Sequence, residues 1–243
     1  MESNAKYKKT FKSGSIERIS EETIPWYSKR LFKEHKIRYF FVKKFVKNKI
    51  VVDVACGNGY GSKILKEAGA KYVFGIDKNK KAVEYARKNY MVVNVNFSVG
   101  DGEKMSIDSK SIDVVISFET IEHLKNPNFF LKEIKRVLKR DGILVLSTPN
   151  REFSYEDNPF HLKEYTLNEL NLILSDFSKK EFYGQRRVFK KITKLYKYLY
   201  KKTPNTFLRF RPWENQKITR LKNISDTSFV YFLAVCRNQK LES

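Results

Sequence analysis

The sequence predicts an α/β fold, in which a mostly parallel β-sheet carries helices on both faces. Short β-branched strands alternate with amphipathic helical stretches from residue 50 to residue 147, and this alternation is typical of parallel sheets. A glycine-rich turn directly follows the first strand, and acidic residues follow the second and third strands. Ligands of such sheets bind at the carboxyl ends of the strands, so the same features also predict where a binding site lies.

The predicted core consists of alternating strands and helices. The strands cover residues 50–54, 72–76, 94–98, 112–117 and 143–147, and the helices cover 60–68, 79–90 and 127–140. Gly69 is expected to end the first of these helices as its C′ residue. The third helix has the clearest signals, with Asn126 as N-cap, Pro127 at the first helical position and Asp141-Gly142 at its end.

Further elements are predicted on both sides of this core. Residues 1–24 show no periodicity, whereas Pro25 to Lys47 is expected to be a helix that can cap the site. After residue 150 the pattern changes to a polar, aromatic loop, which is followed by a helix at 167–175 and a strand at 180–183. The last predicted strand covers 228–236. We therefore divide the chain into a helical cap (1–48), a core (49–185), an insert (186–227), and a last strand with tail (228–243).

The glycine-rich turn is the most informative stretch of the chain. Gly57, Gly59 and Gly61 follow the buried strand 50–54, and glycines at a strand-to-helix turn let the backbone approach a ligand closely. Asp77 ends the second strand, where an acid can accept hydrogen bonds from a ribose diol. A dinucleotide-binding enzyme is the rival interpretation, but its glycines are spaced Gly-x-Gly-x-x-Gly, unlike those here.

These residues together resemble the class I S-adenosylmethionine-dependent methyltransferases. The first motif of that family reads Asp-x-x-x-Gly-x-Gly, as do residues 53–59 here. The resemblance implies that Asp53, Gly57 and Gly59 bind the methionine moiety, Asp77 the ribose and Asp101 the adenine amino group. It also implies a Rossmann-like, seven-stranded, mostly parallel sheet with an antiparallel last strand.

Four neighbouring residues are assigned to the same S-adenosylmethionine site. Cys56 lies within the glycine turn, Lys78 follows Asp77, and Gly102 follows Asp101. Phe118, at the end of the fourth strand, is expected to flank the adenine or the methionine end of the cofactor.

A second group of residues has the composition of a reactive centre. If the chain becomes helical after Phe118, then Glu119, Glu122 and His123 lie on one helical face. His161, on the loop after the fifth strand, would reach the same edge of the sheet. Carboxylate and imidazole ligands suit Mg²⁺, Mn²⁺ or Fe²⁺. A metal-free general base (His123 or His161) and purely structural histidines are the alternatives.

Two subgroup resemblances bear on this centre. Residues 118–124 resemble the Glu-x-x-Glu-His motif of the ubiquinone-pathway O-methyltransferases and the small-RNA 2′-O-methyltransferases, where it binds a divalent metal. A longer resemblance is to methyltransferases of cell-surface glycan gene clusters. It includes a His-x-x-Arg-Tyr motif (His35, Arg38, Tyr39) and residues 147–151, 158–166 and 184–185. In related enzymes the position of Glu119 often contacts the cofactor. Tyr155 and Tyr165 are expected to shape the acceptor pocket.

Composition limits the class of protein. The formal net charge is +22, and 41% of the residues are hydrophobic, which is enough for a core. No apolar run approaches the ~20 residues of a membrane helix, and no apolar segment follows the N-terminal lysines as in a signal peptide. The two cysteines suit a reducing compartment. We therefore expect a cytoplasmic protein, with peripheral membrane contact as an option.

Much of the positive charge is concentrated in residues 186–222, which contain 13 lysines and arginines and one acid, Glu214. Apolar residues at Val188, Ile192 and Leu195 predict a basic amphipathic helix, with aromatic residues in the loop beyond it. It could contact anionic lipid head groups or a phosphorylated acceptor. A helix that packs on its own domain with a solvated lysine face is the alternative, and nucleic acid is the lesser option.

The sequence thus favours an S-adenosylmethionine-dependent O-methyltransferase. The expected acceptor is a hydroxyl group of a sugar, a glycolipid or another small molecule, with or without help from Mg²⁺ or Mn²⁺. RNA 2′-O-methylation is the rival enzyme activity, because it would use the same metal centre and the basic residues. A non-catalytic basic adaptor that binds membranes or RNA is the alternative from another class.

Overall fold

The fold was obtained as a computed structural model, which describes residues 26–153, 160–187, 217–225 and 228–238. The helices are α1 (Trp26–Val46), α2 (Tyr60–Glu67), α3 (Lys80–Tyr90), α4 (Pro127–Val137) and α5 (Leu167–Ile173), with a 3₁₀ turn at Ile121–His123. The strands are β1 (Ile50–Val54), β2 (Tyr72–Asp77), β3 (Val95–Val99), β4 (Ile112–Phe118), β5 (Leu138–Pro149), β6 (Lys179–Arg187), β7 (Ile218–Arg220) and β8 (Phe229–Arg237).

These strands form one eight-stranded sheet with the order β3-β2-β1-β4-β5-β8-β6-β7. The strands β1 to β5 run parallel to one another, and β8 lies antiparallel between β5 and β6. The predicted mostly parallel sheet with an antiparallel last strand is therefore confirmed. Because β5 and β6 are both antiparallel to β8, they point the same way, so their carboxyl ends share one edge of the sheet.

Helices cover both faces of the sheet, as predicted. On one face α4 and α5 pack against the sheet through side chains such as Phe130 and Leu170, and on the other α1, α2 and α3 pack through Val42, Leu65 and Val83. Successive side chains along β1 and β4 pack alternately against the helices on the two faces of the sheet. Such alternation is expected of strands that are buried on both faces.

One detail of the sequence prediction was wrong at the end of α4. The helix ends at Val137, and Leu138 already pairs with Ile112 of β4, so Asp141 and Gly142 lie inside β5. Strand pairing with β4 therefore takes precedence over the turn signal of an Asp-Gly pair. At the start of the helix, Asn126 is the N-cap residue and Pro127 lies in the first turn, as predicted, although the Asn126 side chain makes no capping hydrogen bond. Gly69 has φ 92°, as expected of a C′ residue.

The eighth strand, β7, was missed because it is only three residues long and lies in a charged stretch. It pairs with residues Tyr183 to Gln185 at the outer side of β6. Residues 186–187 and 218–220, which were assigned to the predicted insert (186–227), thus belong to the sheet. The predicted amphipathic helix itself, Tyr155 and residues 1–24 lie outside the described residues.

The helix α1, predicted as a cap, contributes to the core on the α2–α3 face through Tyr39, Val42 and Val46. Within the stretches that the structure describes, no helix combines the length and the apolar character that crossing a membrane requires.

Candidate active site

The glycine-rich turn leaves an open space beside Gly57. A Cβ atom added to Gly57 would meet no heavy atom within 4 Å, whereas one added to Gly59 would lie 2.6 Å from Ala86 and 2.8 Å from the Phe97 ring. Both glycines have positive φ, 55° and 87°. Gly59 is thus required for the packing of the turn, and Gly57 is where a ligand can approach the backbone.

Three predicted cofactor residues meet beside this turn. The carboxylate of Asp77 accepts hydrogen bonds from the backbone N–H of Gly57 at 2.9 Å and of Asn79 at 2.8 Å. Lys78 forms an ion pair with Asp101 at 3.0 Å. Asp77 ends β2 and Asp101 follows β3, the strands next to β1. The acids and the open side of Gly57 therefore lie along one edge, in the order that a nucleoside with an attached amino acid requires.

Other predicted cofactor residues pack behind the turn. Cys56 and Phe118 are buried, at 4% and 6% exposure, and burial raises the pKa of the Cys56 thiol. Gly102 packs against Val54 and Phe130, with no room for a Cβ atom. Cys56, Gly102 and Phe118 are therefore packed within the protein. A direct contact between them and the cofactor stays a prediction.

Asp53 connects three elements beneath the turn. One carboxylate oxygen accepts a hydrogen bond from the hydroxyl of Tyr39 on α1 at 3.0 Å, and the other from the hydroxyl of Ser62 on α2 at 2.7 Å. The residue is only 1% exposed. Burial raises its pKa to about 7, although both hydrogen bonds act in the opposite direction. Any contribution of Asp53 to cofactor binding therefore acts through the helices that it fixes.

The second group of predicted residues lies beyond β4. The chain forms a short 3₁₀ turn there, and not the longer helix expected from the sequence. Even so, Glu122, His123 and His161 converge, with their ligand atoms all within 4.8 Å of one another. Because β4 lies beside β1, this Glu-His-His cluster is close to the glycine turn. Tyr165 is buried in the core on the α4–α5 face.

Glu119, predicted as a fourth ligand, is engaged elsewhere. It has the left-handed φ of 51° and precedes the 3₁₀ turn. Its Oε1 atom lies 3.1 Å from Arg38 Nη1 and accepts a hydrogen bond from Ser147 Oγ at 2.8 Å.

Both histidines of the cluster are oriented through their Nδ1 atoms. His123 Nδ1 lies 2.9 Å from the carbonyl oxygen of Phe160, which can only accept, so Nδ1 carries the proton. His161 Nδ1 lies 2.6 Å from a carboxylate oxygen of Glu164. In each neutral ring the lone pair is then on Nε2, the arrangement that metal-binding or proton-accepting histidines require.

Glu122 is the buried carboxylate of the cluster. It is fully buried, and burial raises its pKa well above the usual range. Its Oε2 accepts a hydrogen bond from Thr148 at 3.1 Å, while Oε1 has no hydrogen-bond partner among the described residues. A buried carboxylate oxygen without a donor indicates that a proton or a cation belongs there.

Sequence analysis missed the residues that support this centre. Ser147 and Thr148 end the fifth strand, and Phe118 stands in register with Ser147, so the polar ends of β4 and β5 meet. The carbonyl of Glu122 accepts hydrogen bonds from the N–H groups of Leu162 and Lys163, which attach the loop carrying His161. Of these features, only the adjacent hydroxyl residues Ser147 and Thr148 could be recognised from the sequence, because the hydrogen bonds of the Glu122 carbonyl depend on the fold.

Comparison with known proteins agrees with this geometry. Residues 52–146 match the family model described as a methyltransferase domain. A probable S-adenosylmethionine-dependent methyltransferase of Mycolicibacterium smegmatis is 32% identical over 63% of this chain and 62% of its own length. A ubiquinone biosynthesis O-methyltransferase of Pelagibacter ubique is 32% identical over 62% of this chain and 64% of its own. The matches thus span less than two thirds of either relative.

Solved structures show the same fold. A methyltransferase of Thermotoga maritima superposes with a TM-score of 0.62 at 18% identity, covering 87% of this chain and 95% of its own. One from Archaeoglobus fulgidus gives 0.59 at 16% identity, covering 86% and 94%. The sheet and turn define a doubly wound α/β domain of the type that binds nucleotide cofactors. More specifically, the chain is similar to S-adenosylmethionine-dependent methyltransferases, and the similarity to the family model is confined to residues 52–146.

We expect the substitution Asp77→Asn to weaken the binding of S-adenosylhomocysteine about tenfold or more, since it removes an anionic acceptor for the ribose hydroxyls. Isothermal titration calorimetry measures this affinity. Glu67→Gln is the matched control, because it removes the same charge from an exposed position on α2. An unchanged affinity of the Asp77 variant would exclude the ribose assignment.

We also expect Asp53 to make stability depend on pH. Its pKa is raised from 3.8 to about 7 in the folded protein, so its burial becomes more costly as pH rises between those values. The free energy of unfolding of the native protein, relative to that of Asp53→Asn, should fall by up to about 4 kcal/mol from pH 4 to pH 8. Urea unfolding of both proteins at several pH values measures this difference, and a constant difference would contradict it.

Proposed function

We propose that this protein methylates a hydroxyl group of a sugar, a glycolipid or another small acceptor, with S-adenosylmethionine as the methyl donor. The observation that carries the proposal is the Glu122–His123–His161 cluster beyond the carboxyl end of β4, the strand that pairs with β1. It provides proton-accepting and cation-binding groups at the sheet edge where the cofactor is expected. The likeness to a ubiquinone biosynthesis O-methyltransferase supports an oxygen acceptor.

The cluster suits a divalent cation. Two imidazole nitrogens and one carboxylate oxygen are a donor set suited to Mn²⁺ and acceptable to Mg²⁺. The Oε1 atom of Glu122, which has no hydrogen-bond partner within the described part of the chain, fits a cation as its partner. We therefore assign Glu122, His123 and His161 as ligands. A bound cation would lower the pKa of the acceptor hydroxyl and hold it in place.

A metal-free general base is the alternative to the cation. If no cation is bound, the contact between His161 and Glu164 fixes the imidazole so that Nε2 can accept a proton from the acceptor hydroxyl. As the oxygen–carbon bond forms, the bond from carbon to the sulfonium breaks, and neutral S-adenosylhomocysteine leaves. His123 could take the same role, since its Nδ1 is held by the carbonyl of Phe160.

The distribution of charge favours an acidic acceptor. Residues 186–222 contain 13 basic residues and one acid. The described residues Arg187 and Lys217 are where this stretch leaves and rejoins the sheet, beside the carboxyl end of β6. That end lies on the same edge as the cluster. We therefore propose a phosphorylated or lipid-linked glycan acceptor, with an anionic membrane surface as a further contact.

Transfer of labelled methyl groups from S-adenosylmethionine into fractionated cell extract tests the proposal. We expect label in the lipid or glycan fraction, its loss with EDTA and its return with Mn²⁺. Label in RNA would replace the proposal with 2′-O-methylation, for which the same cluster and the net charge of +22 would serve. Label that resists EDTA would exclude the metal and leave a histidine as general base. No label in any fraction would contradict enzymatic activity.

The substitution His161→Ala should reduce methyl transfer about 100-fold or more, because it removes a ligand or a general base. The affinity for S-adenosylhomocysteine should not change, because we assign His161 to the metal or the acceptor and not to the cofactor. Glu164→Gln retains the imidazole but weakens its orientation, so we expect a smaller loss of about 10-fold. Methyl transfer at the native rate in His161→Ala would remove this residue from the site.

A further inference from the structure

The helix α1 has charged residues on a face that is completely buried. Glu34 and Arg38 are 0% exposed and lie one helical turn apart. Burying a guanidinium group costs several kcal/mol unless it is well paired. The partners of both residues come from distant parts of the chain, at the carboxyl ends of β4 and β6 and at the amino end of β8.

Three elements fix the guanidinium of Arg38. Its Nε atom donates a hydrogen bond to Gln185 Oε1 at 2.7 Å, and Gln185 in turn donates to the carbonyl of Glu34 at 3.0 Å. The guanidinium lies 4.2 Å from the ring centroid of Tyr231. Tyr231 is in register with Pro149 on one side and Gln185 on the other. The position of Arg38 therefore depends on the relative placement of α1, β6 and β8.

The Nη1 side of the Arg38 guanidinium faces Glu119. The Nη1 atom lies 3.1 Å from Glu119 Oε1, the atom that also accepts the Ser147 hydrogen bond. A left-handed backbone costs a non-glycine residue about 1 kcal/mol or more, so surrounding contacts must hold Glu119 there. The Glu119 side chain is 17% exposed, whereas that of Arg38 is fully buried. A ligand can therefore touch Glu119, with Arg38 behind it.

We propose that Arg38 is a positioning residue of the methyl-transfer site, which holds the Glu119 carboxylate toward the cofactor and the acceptor. This inference rests on the function proposed above. It gives the buried His-x-x-Arg-Tyr stretch of α1 a role in the reaction, distinct from packing. The neighbouring Arg186 is buried in the same way, and its Nη1 atom pairs with Glu34 Oε1 at 2.9 Å. It offers a matched structural comparison among the described residues.

A double-mutant cycle separates positioning from packing. In Arg38→Lys the charge remains but the fork that reaches both Gln185 and Glu119 is lost. We expect this change to lower kcat about 10-fold with a smaller change in KM, or to weaken S-adenosylhomocysteine binding to a similar extent. In a Glu119→Gln background the same change should cost less than about 3-fold, because Arg38 acts through the carboxylate.

The control cycle combines Arg186→Lys with Glu119→Gln. Its effects should be additive in both measurements, even if Arg186→Lys lowers the melting temperature. Equal losses from Arg38→Lys in both backgrounds, in kcat and in affinity alike, would overturn the proposal. If Arg38→Lys does not fold, Gln185→Met releases the Nε atom of Arg38 and tests the same coupling to Glu119.

The calorimetric measurement of S-adenosylhomocysteine binding by these variants does not require an identified acceptor. If the native protein transfers no label in any fraction, the proposed function fails. Coupling between Arg38 and Glu119 in cofactor affinity would then still support the positioning role, and additivity would still reject it.

Discussion

The parallel register of the strands around β1 is the constraint on which the rest of the structure depends. Val54 stands opposite Ile76 of β2 and Ser117 of β4, so these three strands end together. Each strand is followed by a polar segment, and the shared edge brings those segments into contact. Residues that are 20 to 70 positions apart in the sequence, such as Gly57, Asp77 and Glu122, become neighbours for this reason.

The same edge contains many of the buried charges. Asp53, Glu122 and Arg38 are at most 1% exposed, and burying such groups opposes folding unless they are paired. Asp53 and Arg38 are paired through contacts between helices and strands, so they select one arrangement of α1 against the sheet. Glu122 keeps an oxygen without a donor among the described residues. Burying an oxygen atom without a donor is unfavourable. Packing alone does not compensate for this free energy, whereas binding a cation or a proton at the site would.

The arrangement around the glycine turn could be predicted from the sequence because its signals are local. The order of strands and helices and the positions of Gly57 and Asp77 at the strand ends follow from periodicity and from short motifs. The contacts around Arg38 could not be predicted, because Arg38, Gln185 and Tyr231 meet only through the pairing of β8 with β5 and β6. The expected helix after Phe118 was wrong for a related reason, since Glu119 adopts a left-handed conformation that contacts with Arg38 and Ser147 help to hold.

This division coincides with the limits of the family match. Residues 52–146 contain the glycine turn, Asp77, Glu122 and His123, which are the groups expected to bind the methyl donor and to begin the chemistry. His161 and Gln185 lie beyond residue 146, and Arg38 precedes residue 52. A domain that fixes its donor chemistry in one continuous stretch can change acceptor by altering the flanking segments. In this chain the basic residues 186–222 follow directly after Gln185, so the charge that would select an acidic acceptor is attached to the strand that also positions Arg38.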